Sequence, residues 1–401
     1  MKLALIIDDY LPDSTRVAAK MFHELAIELR SRGHNVTVIT PAVRQKHLFV
    51  EEEIDGVNVW RFRSGAIKNV GKITRALNET LLSYNAWQAI RSKVNNDSFN
   101  GVVYYSPSIF FGGLVSKIKR VCKCSSYLVL RDLFPQWIID AGMIQAGSLI
   151  ERYFRFFEHY SYRQANVIGL MSDKNIEVFR RANGERYQTE VLRNWAALTP
   201  YIPERVAISL RQKLGLEDKV IYFYGGNIGH AQDMANLMRL AKGMRDFKKA
   251  HFLFVGQGDE VELINSMASD WKLENFTYLP SVTQDEFKQI LADIDIGLFS
   301  LSSSHTAHNF PGKLLGYMVQ SLPILGSVNV GNDLLELINQ HAAGFISING
   351  NDEELLNNAI LLYEDAVLRK QIGMNSFLLL EREFAVSTIA QNILEGLRGA
   401  Q

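Results

Sequence analysis

The chain has 401 residues, 47% apolar and 21% charged, a balance that excludes a disordered chain and leaves room for two ordinary globular domains. Its formal net charge is zero, and no run approaches the roughly 18 uninterrupted apolar residues of a membrane-spanning helix. Cys122 and Cys124 are the only cysteines, too few for a disulfide framework or, alone, for a structural zinc site.

At the amino terminus, MKLALIIDDY runs straight into two aspartates without a small-residue cleavage site. The expectation is therefore a first strand, LALII (3–7), in place of a signal peptide, and a cytosolic location. YLPDSTRVAAKM (10–21) is a polar loop entering a helix. Ser14 or Thr15 suits a helix cap, while Arg16 and Lys20 lie four apart on one helical face and are candidates to point into a binding cleft. The helix 17–33 ends at Gly33, NVTVIT (35–40) is the next strand, and HLFVEEEIDGVNVWRFR reads as a hairpin turning at Asp55-Gly56. VVYY (102–105), SYLVL (126–130) and NVIGLM (166–171) are further strands with helices between them.

Charge is unevenly spread. Residues 1–200 hold 27 Lys+Arg against 19 Asp+Glu, and the stretches 61–75 and 117–131 each carry five positive charges and no acid. Such patches suit an anionic membrane surface or a solvated helix face; no nucleic-acid-binding motif accompanies them. LRDLFPQWIIDAG (130–142) places Arg131 and Asp132 at a strand end, where paired charges read as site residues or as a structural ion pair. FEHYSYRQAN (157–166) adds Glu158 and His159 on a helix, a minor candidate.

Two prolines break the periodicity in NWAALTPYIPERV (194–206), and a second alternating series follows: KVIYFYGG (219–226), HFLFVGQGD (251–259), NFTYLP (275–280), DIGLFSL (295–301) and LPILGS (322–327). Strand and helix in alternation predict two doubly wound α/β domains with parallel sheets, facing one another across a cleft. YGGNIGHAQD (224–233) and FVGQGDE (254–260) are glycine turns at strand ends of the second domain, where open α/β sheets bind ligands. The G-x-G-x-x-G dinucleotide spacing is absent. In SHTAHNFPGKLLGYM (304–318), Pro311 and Gly312 open a helix and Lys313 adds a full charge to its positive end. A diphosphate fits that combination. His305 and His308 lack the partners a metal site needs, and Asp293-Ile-Asp295 reads as a strand-entry turn in preference to a D-x-D metal motif.

GHNVTVIT, LRNW, VGQGDE and ADIDIGLF resemble a family 4 glycosyltransferase with the GT-B fold over nearly the whole chain. More narrowly, RDLFP, GGNIGHAQD and NFPGKLLGYM are similar to bacterial O-antigen sugar transferases of the WbuB (N-acetyl-L-fucosaminyl) type. The resemblance implies an acceptor domain over 1–195, a nucleotide-sugar domain over 204–383 and a helix over 384–401 that returns to the first. It implies retaining transfer of a sugar, N-acetyl-L-fucosamine or a related N-acetylamino sugar, from a UDP-sugar to an undecaprenyl-diphosphate-linked sugar. No metal or other cofactor takes part, and the enzyme sits peripherally at the inner membrane, its basic stretches against anionic lipid. Lys313, Arg131 and Asp132 are the implied catalytic residues. Donor contacts fall on Gly226, Asn227, Gly229, Gln232, Gly256, Gly258, Val282, His308, Asn309, Pro311, Gly312, Lys313 and Leu314. Acceptor contacts fall on Ser14, Thr15, Arg16 and Lys20. The family's second domain often carries two glutamates eight apart, the later one holding the ribose; here those positions are His308 and Gly316. Either other groups hold the nucleotide or donor binding is weak. A sugar-nucleotide epimerase of the same fold and a non-catalytic scaffold are the alternatives.

Overall fold

The computed structural model describes residues 1–400 apart from 13, 15, 44, 68–69, 107, 141, 203–208 and 304–309. The chain divides into two compact units, Met1–Trp195 together with Val386–Gln401, and Ala196–Ala385. Each is built on one open, largely parallel sheet, so the alternation in the sequence does correspond to two Rossmann-like α/β domains.

In the first unit the elements run β1 (Lys2–Ile6), α1 (Val17–Ser31), β2 (Asn35–Ala42), β3 (Phe49–Ile54), β4 (Val57–Arg63), α2 (Lys72–Thr80), α3 (Leu82–Ile90), β5 (Gly101–Ser106), α4 (Gly112–Cys122), β6 (Ser125–Leu130), α5 (Gln136–Asp140), α6 (Leu149–Gln164), β7 (Val167–Leu170), α7 (Asp173–Asn183) and β8 (Thr189–Val191). The strand order is β3-β4-β2-β1-β5-β6-β7-β8, with only β3 antiparallel to its neighbour. That hairpin turns on Asp55 and Gly56, both at positive φ, the geometry in which a two-residue turn follows the twist of its strands. Alternation along β1 divides the core. Ala4 and Ile6 pack with α3 and α4 on one face; Leu3, Leu5 and Ile7 pack with α1 on the other.

The second unit continues with α8 (Leu210–Leu214), β9 (Val220–Asn227), α9 (Met234–Gly243), β10 (Ala250–Gln257), α10 (Val261–Asp270), β11 (Phe276–Leu279), α11 (Gln284–Ala292), β12 (Ile296–Ser300), α12 (Lys313–Val319), β13 (Ile324–Val328), α13 (Asp333–Gln340), β14 (Gly344–Ile348), α14 (Asp352–Glu364) and α15 (Ala366–Glu383). Its sheet has the order β11-β10-β9-β12-β13-β14. The order reverses at β9, and in open α/β sheets the crevice at the carboxyl end of that strand receives the ligand. The short β8 and β14 escaped the sequence reading: three residues of one and Gly-Phe-Ile-Ser-Ile in the other give too brief a pattern.

Helix α16 (Val386–Gly399) belongs to the first unit. Val386, Ile389, Ala390, Ile393, Leu394 and Leu397 form its buried stripe against α1 and the sheet. Ser125 Oγ donates to the Leu397 carbonyl at 2.6 Å. Leu397 is wholly buried, so Leu397→Ala should cost about 2–5 kcal/mol, read as a lowered melting temperature of the full chain.

Candidate functional site

The second unit's site is built where β9 ends. Alternation puts Tyr224 and Gly226 on the same side of the strand, and the Lys313 side chain lies across both. Its Nζ is 3.4 Å from the Tyr224 ring centroid. A Cβ on Gly226 would come within 3.7 Å of the same nitrogen, an ordinary contact, but Gly226 has φ +117°, so a side chain at that position would strain the backbone. The Lys313 residue is half-buried, but its Nζ is covered and has no hydrogen-bond partner among the described residues. Burial drives its pKa well below the ordinary lysine value, because a desolvated ammonium is disfavoured against the neutral amine. The Tyr224 ring face supplies attraction, yet no counter-anion stands beside the charge among the described residues.

Two glycine turns surround it. β9 and β10 run in register to Gly226↔Gly256 and Asn227↔Gln257, and a Cβ on Gly256 would fall 1.8 Å from the Gly226 carbonyl oxygen. Gly256, and likewise Gly258 against the Ile228 carbonyl, therefore serve the approach of one loop to the other. Beyond them, Asn227 Nδ2 donates to Gln232 Oε1 at 2.7 Å, and Gly229 leaves room for Asn227 and Asp259. His230 is exposed, its Nδ1 3.2 Å from Glu260 Oε1, while Glu260 Oε2 accepts from Met234 N at 3.1 Å and so caps α9.

Pro311 and Gly312 precede α12, which begins at Lys313; the Pro311 carbonyl accepts from Leu314 N at 3.1 Å. Leu314 is core, and Val282 packs half-buried against the same cluster. Thr15, His308 and Asn309, with His305, lie outside the described residues. A Cβ at Gly316 would meet only Leu291 Cδ1, at 3.1 Å. Its neighbour Tyr317 is buried, with its hydroxyl accepting from Gly225 N at 3.3 Å and lying 3.3 and 3.1 Å from the Phe223 and Leu298 carbonyls. The helix carrying Lys313 is thereby locked to β9 at the glycine turn. Asp295 accepts from Ile221 N at 2.7 Å and pairs with Arg211 at 2.6 Å, and Asp293 accepts from Leu210 N at 2.6 Å, so both act as strand-entry anchors.

In the first unit the sequence candidates divide by environment. The Arg131 guanidinium is buried: NH1 donates to the Leu130 carbonyl at 3.2 Å and NH2 to the Arg193 carbonyl at 3.0 Å, with the Trp195 ring 5.6 Å away. Burial brings its pKa down to about 10. Arg131 thus straps strand ends together from inside. Asp132 is half-buried, its carboxyl pushed up by desolvation against the opposing charge of Arg131. Arg16 is the N-cap of α1 and makes no side-chain capping bond, in place of the expected Ser14, whose Oγ accepts from Arg16 N at 3.2 Å. Ser14 instead donates to Asp9 at 2.6 Å, Arg16 lies 3.6 Å from Asp9, and Lys20 pairs with Glu24 at 3.6 Å. Glu158 is buried against Arg155 and Tyr162.

Sequence reasoning missed two features. Tyr224 carried a signal, standing two residues before Gly226 on a strand. The buried hydroxyls of Thr40, Ser106 and Ser108, which have no partner among the described residues, carried none. Ser106 ends β5, beside the strand-order reversal at β1, and its carbonyl accepts from Arg131 N at 3.2 Å. The basic stretches also look different in three dimensions. Arg61 is buried against Glu52 and the Leu11 carbonyl, and Lys119 binds the Gln164 carbonyl at 2.7 Å and Asn166 at 2.8 Å. With Arg131, three of the ten charges turn inward because strand and helix periodicity directs them there.

Residues 207–377 match the model of the family described as Glycosyl transferases group 1; the second unit is a domain of that kind. Two curated relatives carry glycosyltransferase names. Probable glycosyltransferase WbjE of Pseudomonas aeruginosa is 21% identical over 222 residues, 54% of each chain, so this chain spans about half of WbjE's length. The putative colanic acid biosynthesis glycosyl transferase WcaI of Escherichia coli (strain K12) is 23% identical over 334 residues, 78% of this chain and 80% of WcaI. HepE of Anabaena, solved with UDP and glucose, superposes with a TM-score of 0.69 at 17% identity over all of both chains. The fold is GT-B, and the matched family model and both curated relatives carry glycosyltransferase names. Neither match reaches the WbuB type in particular.

The Lys313 ammonium has a consequence for stability. The unfolded chain holds its proton more tightly than the ligand-free folded one, so folding releases a proton and stability rises with pH until the unfolded lysine titrates near 10.5. Lys313→Met should therefore melt higher than wild type at neutral pH without ligand, with the advantage shrinking as pH is raised, in scans from neutral to alkaline pH.

Proposed function

Taking the second unit as a group 1 glycosyl transferase domain, we propose that the chain moves a sugar from a UDP-sugar held by that unit to a lipid-diphosphate-linked acceptor taken by the first unit, in the assembly of a surface polysaccharide. The observation that carries the reading is the covered, unpartnered ammonium of Lys313 over Gly226 at the carboxyl end of β9. A scaffold gains nothing from a desolvated cation, whereas a diphosphate recovers its lost solvation at once. The relatives support the reading through their names: WcaI is assigned to colanic acid biosynthesis, and HepE was crystallised with UDP and glucose.

In this mechanism the acceptor hydroxyl attacks the donor's anomeric carbon on the face from which UDP departs. The carbon–oxygen bond to the diphosphate breaks as the bond to the acceptor oxygen forms, and the hydroxyl proton passes to the departing phosphate oxygen. Lys313 supplies the charge that stabilises the leaving diphosphate. Asp132, half-buried just past β6, offers a polar contact to the acceptor sugar. The finer form is transfer of N-acetyl-L-fucosamine or a related N-acetylamino sugar, with retention and without a metal, to an undecaprenyl-diphosphate-linked sugar on the cytoplasmic side of the inner membrane. It rests on the motif resemblance alone.

Calorimetric titration with UDP in the presence of a chelator tests the reading. Wild type should bind, and Lys313→Ala should lose both binding and, on the order of a hundredfold or more, turnover. Because the diphosphate stabilises the protonated amine, wild-type affinity should fall as pH rises above the lysine's depressed pKa. Silence of the wild type toward UDP, GDP and other nucleoside diphosphates would reject the donor site.

A further inference from the structure

Every side chain that lines one cavity of the first unit has hydrogen-bonding capacity left over. The cavity is open, holds about 240 Å³, and is walled by His159 and Arg163 of α6 and by Arg186 and Tyr187 between α7 and β8. His159 and Arg163 stand four apart and so share a face of the helix. Among the described residues the side chains of His159, Arg163 and Tyr187 make no hydrogen bond, and Arg186 makes one, from Nε to the Asn183 carbonyl at 2.9 Å. Neither guanidinium is paired with a carboxylate among those residues. Glu158, beside His159 in the chain, turns inward to Arg155 and Tyr162, at 3.0 Å from each. Glu185, beside Arg186, is exposed and pairs with neither arginine.

Helix capping does not account for the whole set. Cations near the ends of α6 and α7 complement the helix dipoles, and Arg186 Nε does take a last-turn carbonyl. The Gln164 carbonyl at the end of α6, however, is already held by Lys119 Nζ at 2.7 Å, and Arg163 makes no such contact. Behind the cavity Tyr162, Phe179 and Tyr187 pack edge to face, with ring centroids 5.2, 5.9 and 5.8 Å apart, which fixes its wall. By topology the cavity lies where α6 leads into β7 and α7 into β8, at the amino ends of those parallel strands. Open α/β sheets take their substrates at the carboxyl ends, so a ligand held here is no reactant of the transfer.

We propose that this cavity binds the phosphoryl group of a small phosphate monoester, held by the Arg163 and Arg186 guanidiniums with His159 and Tyr187 as further donors. A monoester carries about −1.5 to −2 charge near neutral pH and three strong acceptor oxygens, which suits two guanidiniums and a donor-rich lining. A phosphodiester, with a single charge and fewer free oxygens, would leave much of that lining unmatched. The volume lies below the roughly 300–1,000 Å³ of sites for drug-sized ligands, so the group carrying the phosphate is short. This chemistry is independent of the donor site at Lys313.

Calorimetric titration of the full chain with glycerol 3-phosphate, in phosphate-free buffer at fixed salt, tests the proposal. Binding at a single site is expected, unchanged by saturating UDP, with sulfate far weaker. Arg163→Gln and Arg186→Gln should each weaken it by about tenfold or more. Both side chains are exposed, so the unliganded variants should melt like wild type, which checks their fold. No binding of glycerol 3-phosphate would overturn the proposal, as would variants that bind it like wild type. Displacement by UDP would move the phosphate to the donor turn, and equal binding of sulfate would mark an unselective anion contact; either result overturns it too. So would retention on phosphatidic acid vesicles by a chain that ignores the soluble ester.

Discussion

The second unit is organised around an ammonium group removed from water with no anion beside it among the described residues. Lys313 Nζ rests on the Tyr224 ring and above the bare backbone of Gly226, and desolvation makes its charged form expensive. Such a group persists only where the surrounding structure leaves it no alternative position. Tyr317, four residues on in the same helix, provides that restraint through its hydroxyl contacts to Gly225, Phe223 and Leu298. Gly297 in turn gives the Tyr317 ring a flat place to lie, since a Cβ there would overlap it at 2.3 Å. The sequence Gly-Tyr-Met at 316–318 is explained mainly by this lock. At Gly316 a Cβ would press on Leu291 Cδ1 at 3.1 Å, so Leu291 would have to give way to a side chain there.

The glycines of the two turns share this logic in different proportions. Gly226 has a positive φ and lies under the ammonium. Gly256 and Gly258 are required because two strand-end loops approach to backbone contact. A phosphate cradle and a tightly packed pair of turns call for the same residue type, and only the direction in which each Cβ would point separates them.

Burial likewise redirects the first unit's charges. Arg131 lies beneath the strand ends, donating to backbone carbonyls, while Asp132 beside it keeps a half-buried carboxyl with an elevated pKa. Adjacent residues at the end of an extended segment point to opposite sides; one of the pair therefore becomes framework and the other stays half-buried. The same alternation turns Arg61 inward from a stretch that looks uniformly basic in sequence.

Much of the architecture was legible in the chain itself. Apolar runs such as LALII and SYLVL, the Asp55-Gly56 turn and the amphipathic helices are local patterns with local physical causes, and they determine two parallel-sheet α/β domains joined near residue 195. Lys313 at the start of a helix and the glycine turns at strand ends were legible for the same reason. What only tertiary structure decided was the surroundings of each charge: that Lys313 is covered and unpaired, that Tyr224 lies beneath it, that Arg131 faces inward, and that Ile73 and Phe156 face outward. Desolvation and partner geometry depend on atoms contributed by segments distant in sequence, so no local pattern can record them.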